Sequence, residues 1–131
     1  MEARLEALVR RRARNCCEYC LFPAGLTRVP FQIDHIIAEK HQGKTTPENL
    51  ALSCFFCNTF KGPNLAGVDP QTQKITRLFH PRRDLWQEHF KWDGPVLKGR
   101  TAVGRTTIDV LRINREDAVA VRDALIEEGE L

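Results

Sequence analysis

Apolar residues in the first half of the chain follow first the period of a helix and then that of strands. Apolar residues at helical spacing, with arginines on the other faces, predict a helix over residues 2–14. β-Branched and aromatic residues are concentrated over residues 27–37 and predict a strand that runs to about His35. After a polar loop, a short apolar run at residues 50–53 predicts a second strand.

A short helix is predicted directly after the second strand, over Cys54–Lys61. Ser53 has the side chain of a helix N-cap, and Gly62, which a proline follows, ends the helix. Asn58 and Lys61 are three positions apart and therefore share one side of this helix. We expect that side to point outward, while cysteines and phenylalanines hold the helix in place.

The second half of the chain predicts mostly helix, interrupted by turns. The predicted elements are, in order, a turn at Asp69–Pro70, a helix over residues 84–90, a hairpin around Asp93–Gly94 and a helix over residues 101–113. The clearest helix follows over residues 114–129, where Asn114 is the predicted cap.

The length and composition favour one α+β domain. A chain of 131 residues with 42% hydrophobic residues is long enough and apolar enough for one core. We therefore predict a single domain over residues 1–131. Its core would span residues 15–62, and a mixed, mainly helical extension would span residues 63–131.

No segment of the sequence predicts a membrane or secretory role. The longest apolar runs fall far short of the roughly 18 residues that a membrane span requires. The N-terminal segment is rich in arginine and lacks the apolar stretch of a signal peptide. We therefore expect a cytoplasmic protein without membrane contacts.

The net charge of +3 hides an uneven distribution. Residues 1–115 carry 19 lysines and arginines against 11 acidic residues, whereas residues 116–131 carry one arginine against six acidic residues. A basic bulk suits a polyanionic partner such as nucleic acid, while the acidic end suits an exposed helix.

Five cysteines predict a metal site rather than disulfides, because cytoplasmic proteins keep their thiols reduced. Four of them form two CxxC pairs, which are Cys17 with Cys20 and Cys54 with Cys57. Two such pairs separated by a few tens of residues are typical of a structural Zn²⁺ site. Cys16 could replace Cys17, but the first pair would then have CxxxC spacing, so we prefer Cys17.

The polar residues between and after the cysteine pairs follow a recognisable order. Asp34–His35 closes the first strand, Asn49 ends the polar loop, and Asn58 and Lys61 follow the second pair. This order of CxxC, DH, N and CxxCNxxK resembles the HNH endonuclease family over residues 15–62. The resemblance implies a zinc-supported ββα-metal (His-Me finger) core, flanked here by an N-terminal helix and an extension similar to that of a bacterial subfamily.

The resemblance also implies a role for each residue of the motif. His35 matches the general base that deprotonates the attacking water, and Asp34 matches a ligand of a catalytic divalent cation. Asn49 matches the residue that braces the long loop. Asn58 stands where many relatives have histidine, as in an HNN variant, and its amide oxygen could still bind the cation.

The chemistry of phosphodiester hydrolysis is consistent with these roles. An ordinary histidine titrates near pH ~6.5, which suits a base near neutral pH. Carboxylate and amide oxygens are ligands that Mg²⁺ and Mn²⁺ prefer. Positive charge is needed for the substrate, and Lys61 would contact a phosphate. Weaker candidates for nucleic-acid contact are His80, Arg82 and Arg83.

The sequence therefore predicts a metal-dependent endonuclease that hydrolyses DNA. Two alternatives remain open at this point, namely a zinc-stabilised nucleic-acid-binding module without activity and a nuclease directed at RNA. Residues 63–131 could also contact a protein partner that supplies target choice.

Overall fold

The computed structural model describes all residues, 1–131, and divides them into two compact units. The first unit comprises residues 1–65 with 80–84, and the second comprises residues 66–79 with 85–131. Helices and short antiparallel strands make up both units, which confirms the α+β class. The organisation as a single domain with a core at residues 15–62 stays a prediction.

The first unit contains a helix, a two-stranded sheet and a second helix. Its elements are α1 (Ala3–Arg12), β1 (Gln32–His35), β2 (Leu50–Ser53) and α2 (Phe55–Lys61). Strands β1 and β2 pair antiparallel, with His35 opposite Leu50. Together with α2 they form the ββα arrangement that the sequence predicts.

Strand β1 is shorter at its start than predicted. It begins at Gln32, whereas the apolar pattern indicated a strand from about Thr27. Pro30 lies just before it, and a proline has no N–H to contribute to a strand ladder. The last residue of the strand, His35, lies where the sequence predicts it.

The core of the first unit is built around β2, whose four residues are all buried. Its buried apolar residues are Val9, Cys17, Tyr19, Cys20, Phe31, Ile36, Leu50, Ala51, Leu52 and Cys57. Helix α1 is joined to this core by the guanidinium of Arg12. This group donates to the carbonyl oxygen of Pro47 at 2.9 Å and to that of Leu50 at 2.6 Å.

The second unit consists of two hairpins and three helices. Its elements are β3 (Ala66–Val68), β4 (Ile75–Arg77), α3 (Trp86–His89), β5 (Phe90–Asp93), β6 (Val96–Gly99), α4 (Ala102–Val110) and α5 (Glu116–Glu127). The hairpins turn at Asp69–Pro70 and around Asp93–Gly94, as their turn residues predict. None of the helices in the chain combines enough length with enough apolar character to cross a membrane.

Two predicted helix caps are wrong. Arg115 is the N-terminal boundary residue of α5, while the side chain of Asn114 instead bonds the backbone N–H and carbonyl of Leu97. Cys54, not Ser53, caps α2, because its sulfur accepts the N–H of Cys57. In both cases a tertiary contact or metal-site geometry overrides local capping preference.

Candidate functional site

The four cysteines of the CxxC pairs converge on one point. The sulfur atoms of Cys17, Cys20, Cys54 and Cys57 lie within 4.8 Å of one another. A tetrahedral zinc with Zn–S bonds of about 2.3 Å would separate its sulfurs by about 3.8 Å. The 3.9 Å between the sulfurs of Cys20 and Cys54 agrees with that spacing. The structure thus brings four cysteines together in a cluster of the type that binds zinc.

Local backbone geometry also prepares these sulfurs for a cation. The N–H of Cys20 points to the sulfur of Cys17, and the N–H of Cys57 points to that of Cys54, both at 3.4 Å. Such contacts favour thiolate over thiol. Hydrogen bonding to Cys17 lowers the pKa of Cys54 and raises the pKa of Cys20 and Cys57. A divalent cation would replace these shared protons and hold all four groups as thiolates.

Cys16 lies outside this site. Its sulfur is half-buried and donates to the carbonyl oxygen of Arg14 at 3.5 Å. The structure therefore agrees with the choice of Cys17 over Cys16 as the first ligand.

The last two residues of β1 differ in exposure. Regular alternation would direct their side chains to opposite faces, but the strand ends at His35. Asp34 is only 5% exposed, while His35 is half-buried. The Nε2 atom of His35 lies 2.9 Å from the hydroxyl of Thr45, in the loop that follows β1. That contact leaves Nδ1 of the imidazole for another partner.

The Asp34 carboxylate lies within a buried polar cluster. The hydroxyl of Tyr19 donates to Oδ2 at 2.7 Å. The ammonium of Lys61 lies 3.1 Å from Oδ2 and 3.3 Å from Oδ1. Burial raises the pKa of Asp34, and the charge of Lys61 acts in the opposite direction. Burial, and then the Asp34 charge, raise the pKa of Tyr19, so that its hydroxyl stays a donor.

The outward orientation predicted for Lys61 is wrong, because its side chain is only 2% exposed. Besides Asp34, its ammonium donates to the carbonyl oxygens of His35 at 3.3 Å and Ile36 at 3.0 Å. An ammonium has three N–H groups, and three partners use them. The predicted phosphate contact of Lys61 stays a prediction that this geometry does not favour.

Asn49 connects the two ends of the loop between β1 and β2. Its side-chain oxygen accepts the N–H of Ile37 at 2.9 Å. Its amide nitrogen donates to the carbonyl oxygens of Ile37 at 3.0 Å and Lys44 at 2.9 Å. These bonds are what a residue that braces the loop beside His35 would make.

Asn58 lies one turn before Lys61 on the same side of α2, and it is half-buried. Its side-chain amide makes no hydrogen bond within the chain. The Oδ1 atom of Asp34 accepts only one long bond and keeps a lone pair. A carboxylate oxygen and an amide oxygen on these neighbouring elements fit the ligand preference of a hard divalent cation.

Comparison with known proteins identifies the domain that carries this site. Residues 17–64 match the family model described as HNH endonuclease. Over this range the chain is similar to HNH endonucleases. All four cysteines and the polar residues from Asp34 to Lys61 lie within the matched range.

A longer curated relative resembles nearly the whole chain. The chain is 27% identical over 116 residues to the Septu protein PtuB of Bacillus thuringiensis. The alignment covers 87% of this chain but 42% of the relative, so the chain spans less than half of the length of the curated relative it matches. No solved structure matches the chain.

The weaker nucleic-acid candidates, which lie after the matched range, differ in how exposed their side chains are. Arg82 forms an ion pair with Glu18, whose carboxylate also accepts the N–H of Leu52. Burial, and then the charge of Arg12, lower the pKa of Arg82 to about 10. In the same segment, the Nδ1 atom of His80 accepts the backbone N–H of Arg82. Of the three candidates, only Arg83 is exposed.

Sequence reasoning missed Tyr19, although it is the one tyrosine of the chain and stands between the first two cysteines. Its contact with Asp34 joins segments that are 15 positions apart. Its position inside the metal-binding turn is visible in the sequence, but its complete burial is not. Nothing in the spacing, however, indicates that its hydroxyl reaches the end of β1.

Proposed function

We propose that this protein is a metal-dependent endonuclease that hydrolyses phosphodiester bonds in DNA, with His35 as the general base. The observation that carries the proposal is the attachment of α2 to the end of β1, within the matched HNH range, through the bonds of Lys61 to Asp34, His35 and Ile36. This attachment supports a common site for the imidazole of His35 and the amide of Asn58.

In this proposal His35 takes a proton from the attacking water through Nδ1. The contact between Nε2 and Thr45 orients the ring and leaves Nδ1 open. Because the side chain is half-buried, it is fixed by its surroundings yet open to water and substrate. Asn49 limits the motion of the loop that carries Thr45 by bonding Ile37 and Lys44. General bases positioned in this way contribute rate factors of about 10²–10⁴.

Asp34 and Asn58 would hold the catalytic divalent cation, with Mg²⁺ or Mn²⁺ as the best chemical match. When bound, such a cation stabilises charge on the phosphoryl and leaving oxygens. The chain itself supplies one carboxylate oxygen and one amide oxygen. The bond from Tyr19 and the charge of Lys61 keep the carboxylate in one orientation.

Contacts with the substrate would be mainly electrostatic. Arg83 is exposed, and the arginines at the end of α1 add to the positive charge of the first unit. Phosphate contacts carry no sequence information, so we expect low intrinsic sequence specificity. Target choice would then come from a protein partner, for which residues 63–131 are the proposed contact region.

Cleavage of supercoiled plasmid tests the proposal directly. Protein that retains its zinc should nick or linearise the plasmid when Mg²⁺ or Mn²⁺ is added, and should leave it intact when the added cation is omitted. A matched RNA substrate distinguishes DNA from RNA preference. Binding to plasmid without cleavage under any cation would contradict the proposal and favour a zinc-stabilised binding module.

A further inference from the structure

We propose that Tyr19 and Lys61 are positioning residues, which hold the Asp34 carboxylate and the end of β1 in the geometry that catalysis requires. This inference rests on the proposed nuclease function, adds Tyr19 to its machinery and gives Lys61 a role other than the predicted phosphate contact. Neither residue would touch the substrate. Both would act through Asp34 and through the backbone beside His35.

Tyr19 connects the metal site to β1. It stands between Cys17 and Cys20 of the four-cysteine cluster, so a metal held by these two cysteines would also fix its backbone. Its side chain is fully buried, and its hydroxyl lies 2.7 Å from Oδ2 of Asp34. A short hydrogen bond to a carboxylate is among the stronger ones in proteins. Zinc binding would therefore set the orientation of a group at the candidate site.

Lys61 connects the end of α2 to the same strand. Its ammonium bonds the carboxylate of Asp34 and the carbonyl oxygens of His35 and Ile36. These three acceptors belong to consecutive residues at the point where β1 ends. One cation thus fixes both a side chain and the backbone that carries the proposed base.

The two donors restrict the carboxylate in a specific way. Tyr19 and the ammonium both contact Oδ2, whereas Oδ1 has only one contact, at 3.3 Å. Rotation of the carboxylate would break both contacts in a buried site, so Oδ1 stays the oxygen with spare capacity. Removal of a group that orients a metal ligand through a hydrogen bond typically lowers metal affinity or activity by about 10–100-fold.

The test compares Tyr19→Phe and Lys61→Arg with wild type. Tyr19→Phe removes only the hydroxyl, and Lys61→Arg keeps the charge but changes its shape. Lys74→Arg, at an exposed lysine of the second unit, is the control for the change from lysine to arginine. Asp34→Asn identifies the cation site. Three quantities are measured on each zinc-containing protein: zinc content, the Kd of Mn²⁺ by electron paramagnetic resonance, and kcat and KM for plasmid nicking.

We expect Tyr19→Phe to keep its zinc and its cooperative melting while the Kd of Mn²⁺ rises about 10-fold or more. Its kcat should fall with little change in KM. Asp34→Asn should lose the Mn²⁺ site, and Lys74→Arg should match wild type in every measurement. Lys61→Arg should weaken Mn²⁺ binding even though the positive charge is retained.

Wild-type Mn²⁺ affinity and kcat in Tyr19→Phe would overturn the proposal, and so would a wild type that binds no Mn²⁺ beyond its zinc site. If Lys61→Arg fails to fold, Tyr19→Phe still decides the outcome. The Mn²⁺ measurement needs no cleavage. If the wild type cuts no substrate, the proposed nuclease function is refuted. If its Asp34-dependent Mn²⁺ binding still weakens in Tyr19→Phe, the positioning role of Tyr19 is supported independently.

Discussion

At the scale of single residues, the Lys61 ammonium shows how burial determines what a charge can do. It is enclosed by the carboxylate of Asp34 and two backbone carbonyl oxygens, with 2% of the side chain exposed. A lysine in such a place stabilises the fold only as long as its partner is present. Removal of one member leaves the other charge buried without compensation.

Lys61→Met should therefore lower the free energy of unfolding by about 3–5 kcal/mol, as is typical when one partner of a buried ion pair is removed. Urea denaturation with zinc present measures this quantity. Lys74→Met is the matched control at an exposed lysine, and its effect should stay within about 0.5 kcal/mol. Equal stabilities of the two variants would mean that Lys61 is not part of a buried pair.

A second buried charge, Asp69, makes the stability of the second unit depend on pH. Its carboxylate accepts two bonds from Arg105, each of 3.0 Å, and these bonds hold its pKa well below the usual range. Because the folded-state pKa is lowered, the stabilisation is complete above the unfolded value of about 3.9 and is lost as the pH falls toward the folded value.

Asp69→Asn should consequently remove part of the acid sensitivity of the protein. The stability of wild type should fall more steeply between about pH 5 and pH 2 than that of the variant. Thermal melting across this range measures the difference. Asp93→Asn, at an exposed position of β5, should keep the slope of wild type. If Asp69→Asn keeps that slope as well, the ion pair does not determine the acid response.

At the scale of elements, the metal site connects the turn at Cys17–Cys20 to the start of α2. The ββα core is small, and α2 has only seven residues, too few for a stable helix by itself. A metal bound by the four cysteines would therefore supply stability that apolar burial in so small a core does not.

Cys54→Ala should lose zinc and melt at a lower temperature than wild type, because it removes both a metal ligand and the cap of α2. Cys16→Ala is the matched control, since Cys16 lies beside the site but outside the cluster. Zinc content and thermal melting measure the two effects. Full zinc occupancy in Cys54→Ala, or loss of zinc in Cys16→Ala, would contradict the assignment of the ligands.

Turns and metal-site spacings that depend on neighbouring residues could be predicted from the sequence. Side-chain contacts between distant segments could not. The turn at Asp69–Pro70 and the hairpin around Asp93–Gly94 follow from turn chemistry, and the four-cysteine cluster follows from spacing. The direction of Lys61 could not be predicted, because its bond to Asp34 spans 27 positions. Likewise, Asn114 bonds Leu97 instead of capping α5, which no local signal indicates.

At the scale of the whole molecule, charge is distributed unevenly along the chain. The last turn of α1 is basic and belongs to the first unit, whereas α5 begins with acidic residues and belongs to the second. When the first unit binds a nucleic acid, its basic side chains would displace counterions from the phosphates of the nucleic acid. The affinity of the protein for nucleic acid should then fall strongly as the salt concentration rises.

Duplex DNA binding by His35→Ala, which should bind without cutting, should weaken by about 10-fold or more between roughly 50 and 200 mM salt. This estimate corresponds to two or more phosphate contacts. Fluorescence anisotropy with labelled duplex measures the dependence. An affinity that does not change with salt would contradict the electrostatic recognition proposed above.

The cleavage rate of His35→Ala tests whether His35 is the general base. His41→Ala is the matched control, because His41 is an exposed histidine in the loop that follows β1. With zinc in place and Mn²⁺ added, His35→Ala should nick supercoiled plasmid about 10²–10⁴-fold more slowly than wild type. His41→Ala should cut at the wild-type rate. A His35→Ala protein that keeps full activity would show that His35 is not the general base.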